Sequence, residues 1–523
     1  MKKLNIPAFG EADFIKNREN ETAEVTLISG ADAALFARYC TYLASCGFTE
    51  RESREQAGHA YAAFSKDTDA VFLNYFAGTA ELVVECEAHC RYFDYADTCG
   101  PAVVSPQITQ LTLEDFGMSY AIRLSDGRFI VIDGGREFEP DAKRLYDCLV
   151  SGSGGKRPVI AAWILSHPHS DHFHCFIKFF DLFGDKVDVE KVLYHFPAHD
   201  DFAHYPKLAN KETRFTHDTS PYTNIPMMQE RVEQLGAKTY MPHTGQIYRI
   251  GDAVCEILST LGDTIHCSDN INATSLVVRM ELAGQVILWA TDASFSIARL
   301  PERYGRYLKA DILQVPHHGF QSGTAAGEIA GYDLIEPSVC LLPVADYHAY
   351  TSFCSYRAGT RHIMCKDCVK EMITGTVQRT LTLPYTPSPD AKYQLERNYL
   401  TGRDDTGART WIFSELHTAR PEDFVFTLLN ATHVKATVMI ELFFEDPAQK
   451  ILYIKAELGA GRLKKLSVIG DEVDSEWKYF NWQSLQGQGI PENVPFAVRF
   501  LSDLPIVVSH KEHQPSYRST LNM

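Results

Sequence analysis

The sequence has no run of about 18 apolar residues, so it offers no helical membrane span. It is also short of positive charge: 50 Lys and Arg stand against 67 Asp and Glu, a formal net charge of −17. That balance argues against holding long nucleic acid by neutralising phosphates. The bases between Lys191 and Lys238 alternate with acids and lack the interleaved aromatics of single-strand binders. Cysteine follows no framework, since thirteen is an odd number and the spacing is irregular, as in reduced cytosolic thiols. Cys365 and Cys368 form one Cys-x-x-Cys, with only Cys354 and His362 near enough to complete a zinc knot. The pair therefore reads as two thiols on a helix from Thr360 to Met372. After Met1-Lys2-Lys3 there is neither a secretory apolar core nor an Arg-rich leader. These absences lead us to expect a cytoplasmic protein with small-molecule substrates and neither nucleic-acid nor membrane partners.

What is present suggests several domains, because 523 residues exceed one ordinary domain. Residues 1–105 hold a small α+β unit and a connector. Glu24 to Ser29 is strand-like, Ala31 to Cys46 is helical and ends at Gly47, and His59 to Ser65, Ala70 to Phe76 and Glu81 to Cys86 alternate as strands. That βαβββ unit shows no ligand cluster, and its aromatics recur as core residues should. Residues 385–408 read as a linker. From 409 to 523, short alternating runs separated by turn signals predict an all-β sandwich, with Phe496 to Leu501 and Ile506 to His510 as its last two strands.

The chemistry is concentrated in residues 106–384. The apolar strand Ala161 to Leu165 ends in Ser-His-Pro-His-Ser-Asp-His, Ser166 to His172. Neutral imidazoles suit zinc, and an interleaved aspartate supplies anionic oxygen to a second cation. His167 and His169 can project toward one ion, while Asp171 and His172, at a helix start, diverge toward a neighbour. Upstream, strands Met118 to Arg123 and Phe129 to Asp133 flank a turn at Gly127 and lead into Asp133-Gly134-Gly135. Downstream, strands Thr274 to Met280 and Gln285 to Ala290 lead into Thr291-Asp292, and Asp311 to Val315 delivers Pro316-His317-His318-Gly319.

This order resembles the metallo-β-lactamase superfamily, signature His-x-His-x-Asp-His, over Ile108 to Pro384. The double histidine, with Asn272 and Ser275, resembles the branch that contains competence-protein hydrolase domains and phosphorylcholine esterases. The resemblance implies an αββα sandwich that is α/β in class, with two Zn2+ ions (or Mn2+ or Fe2+) held by His167, His169, Asp171, His172, Asp292 and His318. Asp292 bridges the ions, and Asp133, Asn272 and Ser275 support them from behind. Asp133 also reads as an ordinary strand-ending turn. Asp171 would orient the attacking hydroxide and His317, beside the ligand His318, would donate a proton or contact a phosphate, with the reverse assignment of the two histidines left open. Phe173-His174-Cys175 stands where that branch often has Ile-Gly-Gly, which predicts a bulkier helix start and altered substrate access. A further metal-site histidine is left open among His195, His199, His204, His217, His243 and His266.

A second resemblance covers Arg409 to Arg518. Thr410 to Glu415, Phe443-Phe444-Glu445-Asp446 and Leu504-Pro505-Ile506-Val507-Val508-Ser509-His510 are similar to the sensory rhodopsin transducer family, small β-sandwich proteins that tend to form tetramers. It implies Trp411, Glu415, Arg462 and His510 as contacts for a polyhydroxylated small molecule, and a homo-oligomer built through this domain. The competing reading makes Trp411 a core residue and His510 a strand-end histidine. The expected function is a dinuclear zinc hydrolase of a small ester, a phosphodiester first. The alternatives are a nuclease and a non-catalytic sensor in which the metal is structural.

Overall fold

The computed structural model describes residues 13–19, 23–114, 117–198, 201, 221–264, 270–320, 323–344, 362–363, 366–388, 403–404, 407–416, 424–431, 435–449, 451–467, 478–479 and 494–512. The described residues up to Ser388 form one compact unit and those from 403 onward form a second. Cys354, Cys365, His199, His204, His217, His266, most of the expected linker and the side chain of Glu415 lie outside what is described.

The first unit opens with a six-stranded antiparallel sheet in the order Asp13–Glu19, Ala23–Ser29, Glu81–Glu87, Asp69–Phe76, His59–Lys66, Thr49–Gln56. The helix Ala33–Ser45 covers one face. Asp32 caps it by accepting from Leu35 N, and Leu35, Tyr39 and Leu43 pack on Phe64, Val71, Leu73 and Val84. The expected βαβββ core is present, with two strands added. Thr49–Gln56 has no apolar alternation because it is an edge strand exposed on most of its residues.

Two larger sheets follow and pack face to face. The first runs Lys238–Tyr240, Lys191–Tyr194, Val159–Leu165, Phe129–Asp133, Ser119–Arg123, Gln107–Gln110, Arg379–Thr382. The second runs Ile247–Ile250, Ala253–Ser259, Val277–Leu282, Gln285–Trp289, Ile312–Gln314, Val339–Leu342, Glu371–Thr374. Tyr120, Ile122, Ile130, Ile132 and Ile164 meet Ile257, Val278, Met280, Ile287 and Trp289 in a shared core between them. Helices Glu139–Gly152, Ser170–Phe183 and Pro221–Leu235 cover the outer face of the first sheet through Leu145, Leu149, Phe176, Phe179 and Met228. Ala325–Ile335 belongs to the second half. The result is the αββα sandwich. The helix expected across Thr360 to Met372 is corrected: among its described residues only 362–363 are helical, Lys366 to Lys370 is turn and coil, and Glu371–Thr374 pairs with Val339–Leu342 as an edge strand. A short apolar run without caps does not distinguish the two states.

The second unit is a β-sandwich. Gly407–Leu416, Ala436–Phe444, Leu452–Leu458 and Phe496–Glu512 form one sheet, and Phe424–Asn430 and Arg462–Ser467 join the far end of Phe496–Glu512 in the other. The two strands expected at 496–501 and 506–510 are one strand. Its first part pairs with Ala436–Phe444 and its last residues pair with Phe424–Asn430, so it turns from one sheet into the other around Pro505.

No described helix is long and apolar enough to cross a membrane.

Candidate metal centre

Four strands end at one place. Phe129–Asp133 pairs in parallel with Val159–Leu165, and Gln285–Trp289 pairs in parallel with Ile312–Gln314, so their carboxyl ends converge as α/β folds arrange for ligands. Asp133, Ser166 to His172, Asp292 and His317-His318 occupy these ends. The backbone is strained here, with Asp133, Thr291, His317 and His318 at φ of 54°, 49°, 49° and 53°. Left-handed backbone in residues other than glycine costs on the order of 1–3 kcal/mol each and clusters at functional sites.

Two donor groups result. His167, His169 and Asp292 form one, and Asp171, His172 and His318 the other, with the ligand atoms of each group within 4.8 Å of one another. Asp292 Oδ2 lies 3.2 Å from His172 Nε2, 3.6 Å from His318 Nε2, 3.8 Å from His167 Nε2 and 3.9 Å from His317 Nε2. It thus faces both groups. Asp171 Oδ2 lies 3.2 Å from His318 Nε2, and His172 Nε2 lies 3.2 Å from His318 Nε2. Atoms bound at about 2.1 Å to one tetrahedral ion sit about 3.4 Å apart, so these separations suit a shared cation.

The chemistry of the donors points the same way. His172 Nδ1 is 2.7 Å from Asp133 Oδ2, which fixes its proton there and turns the Nε2 lone pair toward the Asp292 carboxylate. Two acceptors so placed call for a cation or a proton between them. His167 Nε2 is buried without a hydrogen-bond partner. Burial lowers His172, but the charges of Asp292, Asp171 and Asp133 override it and raise its pKa well above the ordinary imidazole value. His318 is likewise lowered by burial and raised on balance by Asp292 and Asp171. Burial would raise Asp292 and Asp171, yet His172 and His318 hold both low. His169 and His317 are lowered to about 4, chiefly by burial. This set of imidazoles and carboxylates fits divalent metal.

Asp133 is fully buried and accepts from Ser166 N and Ser166 Oγ at 2.7 Å each, while its own carbonyl accepts from Trp163 Nε1 at 2.8 Å. Gly134 and Gly135 follow because the helix start lies against them. A Cβ on Gly134 would be 3.1 Å from that of Cys175, and Cys175 N donates to Gly135 O at 2.9 Å. Asn272 Nδ2 lies 2.9 Å from His317 Nε2, and Ser275 Oγ is buried without a hydrogen-bond partner.

Three residues escaped the sequence reading. Ser166 Oγ also stands 3.0 Å from His167 Nδ1, so it touches two donors through Asp133 and directly. Glu137 and Asn224 flank His174, at 3.1 Å from Nδ1 and 2.8 Å from Nε2. The bulk of Phe173-His174-Cys175 is therefore directed into the outer layer, where Phe173 and Phe196 meet with ring centroids 5.4 Å apart. His195 Nδ1 faces Pro242 O, and His243 lies between Glu85 and Glu87, so neither joins the donor groups. A cavity of about 590 Å³ lined by Arg51, Tyr92, Phe93, Tyr95 and Arg249 shares no residue with the centre.

In the sandwich, Trp411 is half-buried, and its Nε1 donates to Ile506 O at 2.8 Å. His510 is exposed and packs edge-on to Phe413 at 5.1 Å. Arg462 pairs with Asn430, whereas His510 pairs with Phe426. Four residues along a strand is about 13 Å, so those two side chains are not neighbours.

An αββα sandwich presenting this donor set at its strand ends defines a metallo-β-lactamase-type domain. Residues 113–248 match the family model described as Metallo-beta-lactamase superfamily, and the chain carries a domain of that superfamily. Among solved structures the chain is similar to YhfI of Bacillus subtilis, a metallo-beta-lactamase fold protein, at 14% identity over 51% of this chain and 95% of that one, TM-score 0.30. It is similar to CmlA of Streptomyces venezuelae, a diiron beta-hydroxylase, at 12% over 54% and 55%, TM-score 0.33. The Anabaena sensory rhodopsin transducer is similar at 20% over 22% of this chain and 95% of that one, TM-score 0.17. No curated protein matches the chain.

Proposed function

We propose that the protein is a dinuclear metal-dependent hydrolase of small-molecule esters, phosphodiesters foremost, with zinc as the metal and manganese or iron as the alternatives that histidine and carboxylate donors also accept. One observation carries the reading: the two donor groups face each other across Asp292 and each supplies three protein ligands. Structural zinc sites are closed by four protein ligands, whereas catalytic sites keep a position for water or substrate, and the group of His167, His169 and Asp292 offers three donors only among the described residues. Cations held by His167, His169 and Asp292 and by Asp171, His172 and His318 would acidify a water and polarise the bond under attack.

The chain's own groups complete the assignment. Asp133 and Ser166 set the tautomer and orientation of His172 and the position of His167. His318 Nδ1 is 3.3 Å from Pro343 O, which directs Nε2 to Asp171 and makes His318 the ligand of the pair. His317, its side chain 22% exposed and its Nε2 toward Asn272, is the substrate-facing member. Burial lowers its pKa to about 4, so at neutral pH it is an uncharged donor to a substrate oxygen rather than an acid. Asp171, held ionised, orients the nucleophile.

The sandwich is proposed to assemble copies of the chain or to bind a small ligand. Leu463 and Val507 are exposed on either side of Leu429 in one row across three strands, an apolar strip that a second copy would cover. Light scattering on the full chain and on Leu463→Glu tests this, and a monomer in both rejects it.

The activity is tested with metal-loaded protein on bis-p-nitrophenyl phosphate, p-nitrophenyl phosphorylcholine and a lactone panel, with single-stranded DNA as the nuclease arm. Hydrolysis abolished by chelator and restored by metal is expected. Metal-replete protein inert toward all of them would favour the sensor.

A further inference from the structure

The N-terminal sheet contributes no donor to the centre, yet its last strand buries Glu81, Glu85 and Glu87 against the hydrolase fold. Glu81 accepts from Arg299 at 2.7 Å and from Arg303 at 3.3 Å. Arg303 is itself buried and donates from Nη1 to Asp263 Oδ1 at 2.6 Å. The other oxygen of Asp263 accepts from Thr260 N at 3.0 Å and from the Thr244 hydroxyl. Glu85 presses on the same turn, for a Cβ on Gly262 would collide with it. Thr264, next after Asp263, donates from Oγ1 to Ala273 O at 2.6 Å. Ala273 adjoins Asn272, whose amide nitrogen meets His317 Nε2 at 2.9 Å.

We propose that Glu81 is a positioning residue of the metal centre: through Arg303 and Asp263 it fixes the turn Leu261–Thr264, and through Thr264 it holds Asn272 against His317. The N-terminal sheet is then a working part of the hydrolase and not a separate cap. Buried charges joined this way favour one arrangement, because any displacement leaves a carboxylate or guanidinium without its partner in a low-dielectric setting. The role of His317 rests on the function proposed above, but its placement does not.

The test compares Glu81→Gln with Glu87→Gln in the full chain. Both remove a buried carboxylate from one strand, but Glu87 contacts His243 and lies outside the relay. Glu81→Gln is expected to speed amide exchange across Asn270–Leu276 about tenfold and to shift the His317 imidazole resonances in histidine-labelled protein, with Glu87→Gln changing neither. Thr264→Val removes one hydroxyl and no charge, and reproduces both effects should Glu81→Gln fold poorly. In metal-loaded protein the same variants lower kcat about tenfold and leave KM within twofold. Equal exchange in the two glutamine variants, or a Thr264→Val protein with unmoved His317 resonances, overturns the proposal. Exchange and resonances are measured without turnover, so failure to hydrolyse any substrate would count against the proposed function and not against the relay.

Discussion

The metal centre and the C-terminal sandwich each carry candidate residues named from motif and resemblance, and the fold treats them differently. In the αββα sandwich, residues from 133 to 318 converge on one buried point because four strands end there and the ends are pinned by hydrogen bonds. In the sandwich, Arg462 and His510 stand at different levels of one sheet, and the polar atom of Trp411 is already engaged by a backbone carbonyl. Ligand chemistry constrains position: a cation accepts only donors that meet within a few ångströms. A strand pattern constrains fold and leaves the site unspecified.

The sharpest way to break this contrast is at Asp292. Asp292→Asn takes away the anionic oxygen that faces both donor groups, and the loss of several kcal/mol of charge stabilisation predicts a fall in kcat of about a thousandfold. Metal content, measured after dialysis, should fall with it. Retention of both metals and of turnover would remove Asp292 from the centre. A smaller effect is expected one layer out. Asp133→Asn keeps the shape but weakens the bond to His172 Nδ1, and changes of this kind cost about 10–100-fold in metal affinity. Competition against a chromophoric chelator reads it directly, and unchanged affinity would reduce Asp133 to the strand-ending turn it also resembled.

Among the described residues the first unit differs from the sandwich in a further way: it buries a histidine, His243, between two carboxylates. Burial lowers His243, but Glu85 and Glu87, each 3.0 Å from a ring nitrogen, raise it to about 10. Below the usual value near 6.5 the folded and unfolded chains both hold that proton. Above it the unfolded chain gives the proton up while the folded chain keeps it, so stability declines progressively from about pH 6.5 toward 10. The urea midpoint of the first unit should therefore drop between pH 7 and 9.5, and Glu87→Gln should flatten the decline. A pH-independent midpoint would mean that the imidazole is neutral.

How much of this could be read in the sequence follows from distance along the chain. His167, His169, Asp171 and His172 lie within six residues and mark a metal site by their spacing alone, whereas Asp292 and His318 each follow an apolar strand and are named by the resemblance to the metallo-β-lactamase order. Periodicity says nothing of Glu81 and Arg303, which are 222 residues apart and meet only because the N-terminal sheet packs on the second large sheet. Thr49–Gln56 was illegible for the opposite reason, since an exposed edge strand has no apolar face to betray it. The two strands expected at 496–501 and 506–510 are one, because around Pro505 a single strand changes sheets, and alternation alone does not reveal that continuity.

The smallest expected effect decides what Trp411 is. If it belongs to the core, Trp411→Phe keeps an aromatic ring packed against the sandwich core and forfeits one hydrogen bond to Ile506 O. A neutral bond of this kind is worth about 1 kcal/mol, enough to shift the denaturation midpoint of the sandwich measurably and too little to unfold it. If instead the indole stacks on a ligand, the substitution leaves stability unchanged and lowers affinity for a polyhydroxylated ligand. The position of Nε1 favours the first outcome, because an indole that aims its only donor at a strand carbonyl has no polar edge left for a sugar hydroxyl. Loss of stability with no change in catalysis would also show that the two units work through separate residues.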